Sequence, residues 1–421
     1  MSGTFYDALE TRAPEQREAA LMAALPGAVA RAQGHTDAYA ELLLGADAAS
    51  ITSRARLATL PVLRKGELLA RQQRDRARDP FGGFSAIGWR GLTRPAGARR
   101  VFQSPGPIYE PEGLAGDYWR MARAIHAAGF RAGDLVHCSF SYHLTPAGSM
   151  METGAHAVGC TVFAGGIGNT ELQLQAVSEL RPHGYIGTPS FLRILLEKAA
   201  ETGVSTASIT KAMLGGEAFP PSLQAWFRER GIEAYQSYAT ADLGLIAYET
   251  PAREGLVLDE QVIVEIVRPG TGDPVPDGEV GEVVVTTLNP DYPLVRFGTG
   301  DLSAILPGPC PTGRSNTRIR GWLGRADQTA KVRGMFVHPS QVAEVLRRHP
   351  EAGRGRLVVE GEMANDRMTL KLEVAGPPEG LAARVADSIR DVTKLRGDVQ
   401  FVAPGSLPND GKVIEDARKY D

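Results

Sequence analysis

DLVHCSFSYHLTPAGSMMETGAHAVGCTVFAGG, residues 134–166, carries the change of period that decides the fold. An apolar, strand-like run (DLVHCSFSY) gives way to a helical spacing (GSMMETGAHAVG) and then to a second strand-like run (CTVFAGG). The same alternation extends in both directions. Upstream, DYWRMARAIHAAGF reads as a helix. Downstream, ELQLQAVSELR, SFLRILLEKAAETG and PSLQAWFRERG read as helices, separated by the strands GYIGTPS, KAMLGG and IEAYQSY. Strands that alternate with helices of this length predict a parallel sheet covered by helices.

On either side the pattern changes. Residues 1–80 form a helical start, with Leu/Ala and mixed charges at helical spacing in EQREAALMAALPGAVARA, and residues 82–105 read as a Gly/Pro-rich loop entering the core. Residues 256–303 turn to Val/Ile/Glu strands separated by Gly/Asp turns, QVIVEIVRPGTGDPVPDGEVGEVVVTTL, which predicts an antiparallel subdomain. The remainder carries two helices, HPSQVAEVLRRHP and EGLAARVADSIRDVTK, and three strands, GRLVVEGE, RMTLKLEVA and GDVQFVAP. The expected fold is therefore α/β: a large N-terminal domain, 1–324, with parallel sheet layers and an antiparallel subdomain, and a small α+β C-terminal domain, 325–421.

Composition excludes several classes of function. With 421 residues, 43% hydrophobic and 23% charged, the chain can bury the cores of two or three domains. A net charge of −3 provides no basic field for nucleic acid or an acidic membrane. The start MSGTFYDALETRAPEQREAAL lacks a basic patch followed by an apolar core, so no secretory signal is expected. No uncharged apolar run approaches the ~18 residues of a membrane span. Three widely spaced cysteines, Cys138, Cys160 and Cys310, suit a reducing cytoplasm.

Four separated segments carry the chemistry: MLGGEAFP with AYQSYATADLGLIAYE (213–249), VRFGTGDL (295–302), GWLGRADQTAKVRGMFVHP (321–339) and LPNDGKVIEDARKYD (407–421). Each alone is a common loop sequence. In this order they resemble an adenylate-forming acyl-CoA ligase, and most closely the phenylacetate–CoA ligase family. FYDALETRAPEQREAAL, LPVLRKGELL and PFGGF extend the resemblance over nearly the whole chain. It implies that Gly215, Gly216 and Glu217 form a turn beside adenine and that Tyr238 lies against the base. It implies that Asp301 accepts hydrogen bonds from the ribose hydroxyls, as a carboxylate can do with both oxygens, and that Arg325 stands on the ribose side. Asp327 is then the hinge about which a mobile small domain turns between half-reactions. Lys331, Arg333 and Gly334 line the thiol entrance. Lys412 is the catalytic lysine, its ammonium neutralising charge on the α-phosphate and the substrate carboxylate. Asp242 takes the place of a Glu that binds Mg²⁺, for which aspartate is a suitable hard ligand. Tyr142, His143, Gly148 and Met151 are the expected wall of an acyl pocket suited to a flat aromatic acid.

Two departures accompany this resemblance. Where the family carries a Ser/Thr/Gly-rich phosphate loop, this chain has VFQSPGPIYEP (101–111). Ser104 and Gly106 keep the chemistry; Pro105 and Pro107 cannot donate backbone hydrogen bonds, and Glu110 adds negative charge. Some relatives also hold zinc with a Cys/His/Cys/Cys set, whereas Thr250, Val257, Cys310 and Thr312 stand at those places here, so no zinc is expected.

The implied reaction is ATP-dependent activation of an aromatic or arylacetic acid to acyl-AMP and then to acyl-CoA, with ATP, Mg²⁺ and coenzyme A as cofactors. A homodimer is an expectation of the resemblance alone. Two other readings stay open at this level: an adenylating ligase with an amine or carrier-protein acceptor, favoured by the same residues, and a non-catalytic acyl- or nucleotide-binding homologue, favoured by the altered loop.

Overall fold

The computed structural model describes residues 4–89, 97–326, 330–333, 335–337, 339–361, 366–408 and 412–418. The chain divides into two compact units, Met1–Gly324 and Arg325–Asp421.

The large unit is built on the alternation seen from residue 134 onward. Strands Thr161–Ala164, Leu135–Cys138, Gly184–Gly187, Lys211–Leu214 and Glu233–Thr240 lie side by side in that order and all run parallel. The inner strands are buried along nearly their whole length, as a sheet covered on both faces requires. The helix read from SFLRILLEKAAETG starts one residue earlier, at Pro189. Helix Pro189–Thr202 begins with Thr188, whose side chain accepts from the Phe191 N–H, has Pro at its first position, and ends on Gly203 in the left-handed region. Helix Ala147–Val158 likewise ends on Gly159, at φ +95°.

The same sheet continues antiparallel through Gly244–Glu249, Leu256–Leu258, Arg318–Ile319 and Ile305–Leu306. A second sheet has the order Leu63–Arg64, Phe297–Ser303, Gly281–Thr287, Val262–Val267, and its last three strands are antiparallel. The antiparallel subdomain expected near 256–303 is therefore divided: Leu256–Leu258 belongs to the larger sheet, and Leu63–Arg64, from the helical start, adds a parallel edge to the smaller one. The helix expected over 117–130 is helical only at Ala122–Ala127. Arg120 adopts φ +63°, and the Asp117 carboxylate accepts the N–H groups of Met121 and Ala122, so the chain turns before the helix begins.

Arg296 ties these parts together. Its side chain is fully buried, and its Nε and Nη2 donate to the two carboxylate oxygens of Glu265 at 3.0 and 3.1 Å. Nη1 donates to the carbonyls of Ala58 and Leu60, and Nη2 also reaches the Gly272 carbonyl at 2.6 Å. The backbone of Arg296 is left-handed, at φ +46°, immediately before the strand Phe297–Ser303.

The small unit is a four-stranded sheet in the order Asp398–Val402, Arg367–Glu373, Gly355–Glu360, Ile414–Asp416. Val342 and Val345 of helix Pro339–Arg348, and Leu381, Val385 and Ile389 of helix Leu381–Thr393, pack with Leu357, Val359, Met368 and Leu370 in one core. A hairpin, Ala330–Val332 with Met335–Val337, contributes Val332 and Val337 to that core. Among the described residues no helix is long and apolar enough to cross a membrane.

The buried pair provides a test. Arg296→Met leaves the Glu265 charge without its partner in the core and is expected to destabilise the large unit by ~3–5 kcal/mol, whereas Arg296→Met with Glu265→Leu recovers much of that loss. Urea unfolding of the two variants measures both.

Candidate active site

In an open parallel sheet, the loops beyond the carboxyl ends of the strands emerge at one edge, and that edge is where ligands bind. Gly215, Gly216 and Glu217 follow strand Lys211–Leu214 there. The Gly215 N–H donates to the Gly187 carbonyl at 3.2 Å, and a Cβ at Gly215 would sit 3.1 Å from Ser237 Oγ, so a small residue keeps the turn close to the next strand. Gly216 has φ +77°. The Glu217 carboxylate accepts the Ser190 N–H at 3.3 Å, at the positive end of helix Pro189–Thr202.

Tyr238 and Asp301 meet across the two sheets. Tyr238 Oη donates to Asp301 Oδ2 at 2.9 Å and lies 3.2 Å from Thr299 Oγ1, while Trp322 Nε1 donates to Asp301 Oδ1 at 3.1 Å. Asp301 is 8% exposed, and an aromatic donor reaches each of its carboxylate oxygens. Trp322 escaped the sequence reading. Its only signal is a tryptophan placed just ahead of Gly324–Arg325.

Residues 100–112 form a tight hairpin, Arg100–Ser104 with Ile108–Glu112, closing on the Ser104↔Ile108 pair. Strand alternation turns Phe102 and Ser104 inward. The Ser104 hydroxyl is bonded to the Glu110 carboxyl rather than presented at the tip, and the Ser104 N–H points to the same carboxyl at 3.3 Å. Gly106 occupies the tip between the two prolines. Glu110 is wholly buried. Burial first, and then the neighbouring Asp242 carboxylate, push its carboxyl well above the usual range, against the opposing pull of Lys65 and Ser104.

Asp242 lies in the turn between Glu233–Thr240 and Gly244–Glu249, 4% exposed. Its Oδ2 is 2.9 Å from Lys65 Nζ, at the start of helix Lys65–Asp75, while its Oδ1 is buried without a hydrogen-bond partner. The orphaned oxygen fits a hard cation that takes one protein carboxylate and completes its shell with phosphate and water, as Mg²⁺ does. Among the described residues no three His, Cys, Asp or Glu side chains cluster as a protein-only metal cage. Lys65 was also missed, because a lysine at a helix start reads as solvated surface.

The expected acyl wall is partly assembled. Gly148 packs directly under Tyr142: a Cβ there would stand 2.7 Å from the Ser141 carbonyl and 2.9 Å from the Tyr142 ring. Tyr142 is half-buried. Burial, and then the nearby Cys138, raise its phenol above the usual range. Met151 is in the core cluster with Trp119 and Phe140, and His143 is exposed. Elsewhere Cys310 Sγ lies 3.1 Å from Thr312 Oγ1 and 3.8 Å from Thr250 Oγ1, so these three side chains meet as a thiol–hydroxyl contact.

The remaining residues belong to the small unit or its first positions. Arg325 is half-buried, Asp327 and Gly334 lie outside the described residues, and Lys331 is on strand Ala330–Val332 opposite Phe336. Arg333, at φ +47°, turns the hairpin and bonds to Asp366. Lys412 is exposed, between two anchored points. On one side the Pro408 carbonyl accepts from Arg354 at 2.7 Å and Arg356 at 3.1 Å, and on the other Ile414 pairs with Leu357.

Two family models match the chain: AMP-binding enzyme at residues 116–289 and AMP-binding enzyme C-terminal domain at 334–418. The phenylacetate-coenzyme A ligase of Aromatoleum evansii is 32% identical over 340 residues, 77% of this chain and 73% of that one. Its namesake in Thermus thermophilus is 31% identical, covering 68% of this chain and 71% of that one. Among solved structures, a 2-hydroxyisobutyryl-CoA ligase in complex with 2-HIB-AMP and CoA shares the fold with a TM-score of 0.83, at 22% identity and over 99% of this chain and 93% of that one.

The buried Glu110 sets a pH dependence. Its carboxyl titrates higher in the folded than in the unfolded chain, so the folded protein binds the extra proton, and stability falls as pH rises from the ordinary carboxylate range through the raised value. Glu110→Gln carries no such proton. The stability of the variant relative to the parent is expected to rise with pH, at up to about 1.4 kcal/mol per pH unit while Glu110 titrates. Denaturant midpoints taken from pH 5 to 8 check this, and a difference independent of pH would contradict it.

Proposed function

Because the chain belongs to the phenylacetate–CoA ligase family of AMP-binding enzymes, we propose that it activates a carboxylic acid with ATP and passes the acyl group to the thiol of coenzyme A. A carboxylate oxygen attacks the α-phosphorus, pyrophosphate leaves, and the thiolate sulfur then attacks the acyl carbon of acyl-AMP with release of AMP. The observation that carries this reading is the Asp301 carboxylate, oriented by Tyr238 and Trp322 at the edge where the Gly215–Gly216 turn also lies. A buried acceptor with both oxygens aligned suits a ribose diol.

Each group has a separate task. Gly215 and Gly216 allow the base to approach the main chain, and Tyr238 flanks it. Asp242 would hold Mg²⁺ through its orphaned oxygen, and the ion would supply charge neutralisation at the phosphates. Lys65 adds a fixed ammonium beside it. Lys412 places a cation against the α-phosphate and the substrate carboxylate. In the second half-reaction Asp327 is the hinge, and Lys331, Arg333 and Gly334 line the thiol path. The substrate we favour is an aromatic or arylacetic acid. The Tyr142 ring packed on Gly148 supports a flat slot, and the curated relatives are phenylacetate ligases. Three buried free cysteines agree with a cytoplasmic setting. A homodimer remains part of this proposal.

One observation favours the non-catalytic alternative: the Ser104 hydroxyl already belongs to Glu110. Pro105 and Pro107 at the hairpin tip also donate nothing. Each missing charge-assisted hydrogen bond costs roughly 1.5–3 kcal/mol, enough to raise the ATP requirement about tenfold or more. A high apparent KM for ATP is therefore expected, with turnover retained.

A panel of aryl and alkyl acids assayed for AMP release at millimolar MgATP, with and without CoA, tests the assignment. Lys412→Ala is expected to slow acid-dependent exchange of pyrophosphate into ATP by orders of magnitude while sparing thioester formation from supplied acyl-AMP. Equal loss in both steps would remove the assigned role. Absence of exchange with every acid, together with no nucleotide binding by calorimetry, would leave the binding protein as the better reading.

A further inference from the structure

Asp366 opens the strand Arg367–Glu373 of the small unit and is 7% exposed. Two segments of the chain converge on it. Its Oδ2 accepts the backbone N–H of Arg333 at 3.0 Å, and its main-chain carbonyl accepts Nε and Nη2 of Arg333 at 3.1 and 2.8 Å. Its Oδ1 accepts Nη1 of Arg418 at 3.1 Å. Arg418 in turn bonds the Asp416 carboxylate, on the strand Ile414–Asp416 that follows Lys412.

Arg333 and Lys412 serve different steps in the reaction proposed above. The first stands at the turn of the hairpin assigned to the thiol path, in a left-handed conformation that a non-glycine residue rarely adopts without fixed partners. The second stands on the segment assigned to adenylation. We propose that Asp366 is a positioning residue that ties the hairpin at 330–337 to the Lys412 segment, so that one carboxylate sets the geometry of both reacting edges of the small unit. The chain Arg333, Asp366, Arg418, Asp416 holds two positive and two negative groups, and its charge-assisted bonds fix direction as well as distance. A sheet-corner staple would need only one of these arms. The second arm makes the two functional segments share a partner.

This inference rests on the ligase reading, and its test separates the two. In the full-length protein, amide hydrogen exchange followed by mass spectrometry reads the segments 330–337 and 412–418 without any substrate. Asp366→Ala is expected to speed exchange in both at least tenfold and to lower kcat at least tenfold in both half-reactions, with little change in KM for the acid. Asp366→Asn, which keeps one side-chain acceptor where Ala keeps none, is expected to lie between the parent and the Ala variant and keeps the test available if the Ala variant fails to fold. Arg418→Met removes one arm and is expected to loosen 412–418 and slow adenylation alone. Faster exchange confined to one segment in the Asp366 variants overturns the tie. Faster exchange in both with unchanged half-reactions makes Asp366 an architectural residue and overturns its positioning role. The ligase reading stands or falls separately, on whether the parent protein makes acyl-AMP.

Discussion

The Arg296–Glu265 pair is the contact on which the large unit turns. A guanidinium in the core is tolerable only when its donors are answered, and here two carboxylate oxygens and three backbone carbonyls answer them. The carbonyls come from the helical start and from the Gly272 turn, the carboxylate from strand Val262–Val267. The pair therefore sets the register of Phe297–Ser303 against three separate segments. Asp301 lies on that strand, and its position depends on a register that apolar packing alone leaves less well defined.

Polar groups near the site are handled in two ways. Asp301 is held by aromatic donors, one on each oxygen, whereas Ser104 and Glu110 satisfy each other and turn away from the hairpin tip. Glu110 and Asp242 bring two carboxylates near the Lys65 ammonium, and burial together with Asp242 raises the carboxyl of Glu110 well above the usual range. The hairpin Arg100–Ser104 with Ile108–Glu112 is thus tied by its own acid to its own hydroxyl.

The small unit applies the same economy to alignment. Its apolar core fixes the sheet and the two helices, and two further segments hang from charged anchors: the hairpin from Asp366, and the approach to Lys412 from Arg354 with Arg356. Anchors of this kind are directional, so they can hold an exposed segment that apolar burial cannot hold.

The sequence by itself determined the parallel alternation from residue 134, the helix stops at Gly159 and Gly203, and the sequence segments in which Gly215, Asp301 and Lys412 stand. Those features depend on neighbours a few residues away, through side-chain period, capping and glycine's freedom at positive φ. The tertiary structure alone decided that Leu256–Leu258 joins the larger sheet, that 117–121 is a turn rather than helix, that Ser104 faces Glu110, and that Trp322, Lys65 and Asp366 accompany the expected residues. Trp322, Lys65 and Asp366 meet partners 21, 177 and 33 residues distant, and nothing local to Lys65 marks Asp242. The turn at 117–121 and the Ser104–Glu110 bond close within six residues, but packing decides which of these polar groups are buried against each other. Local pattern specifies which way a chain turns, and only packing specifies what it turns toward.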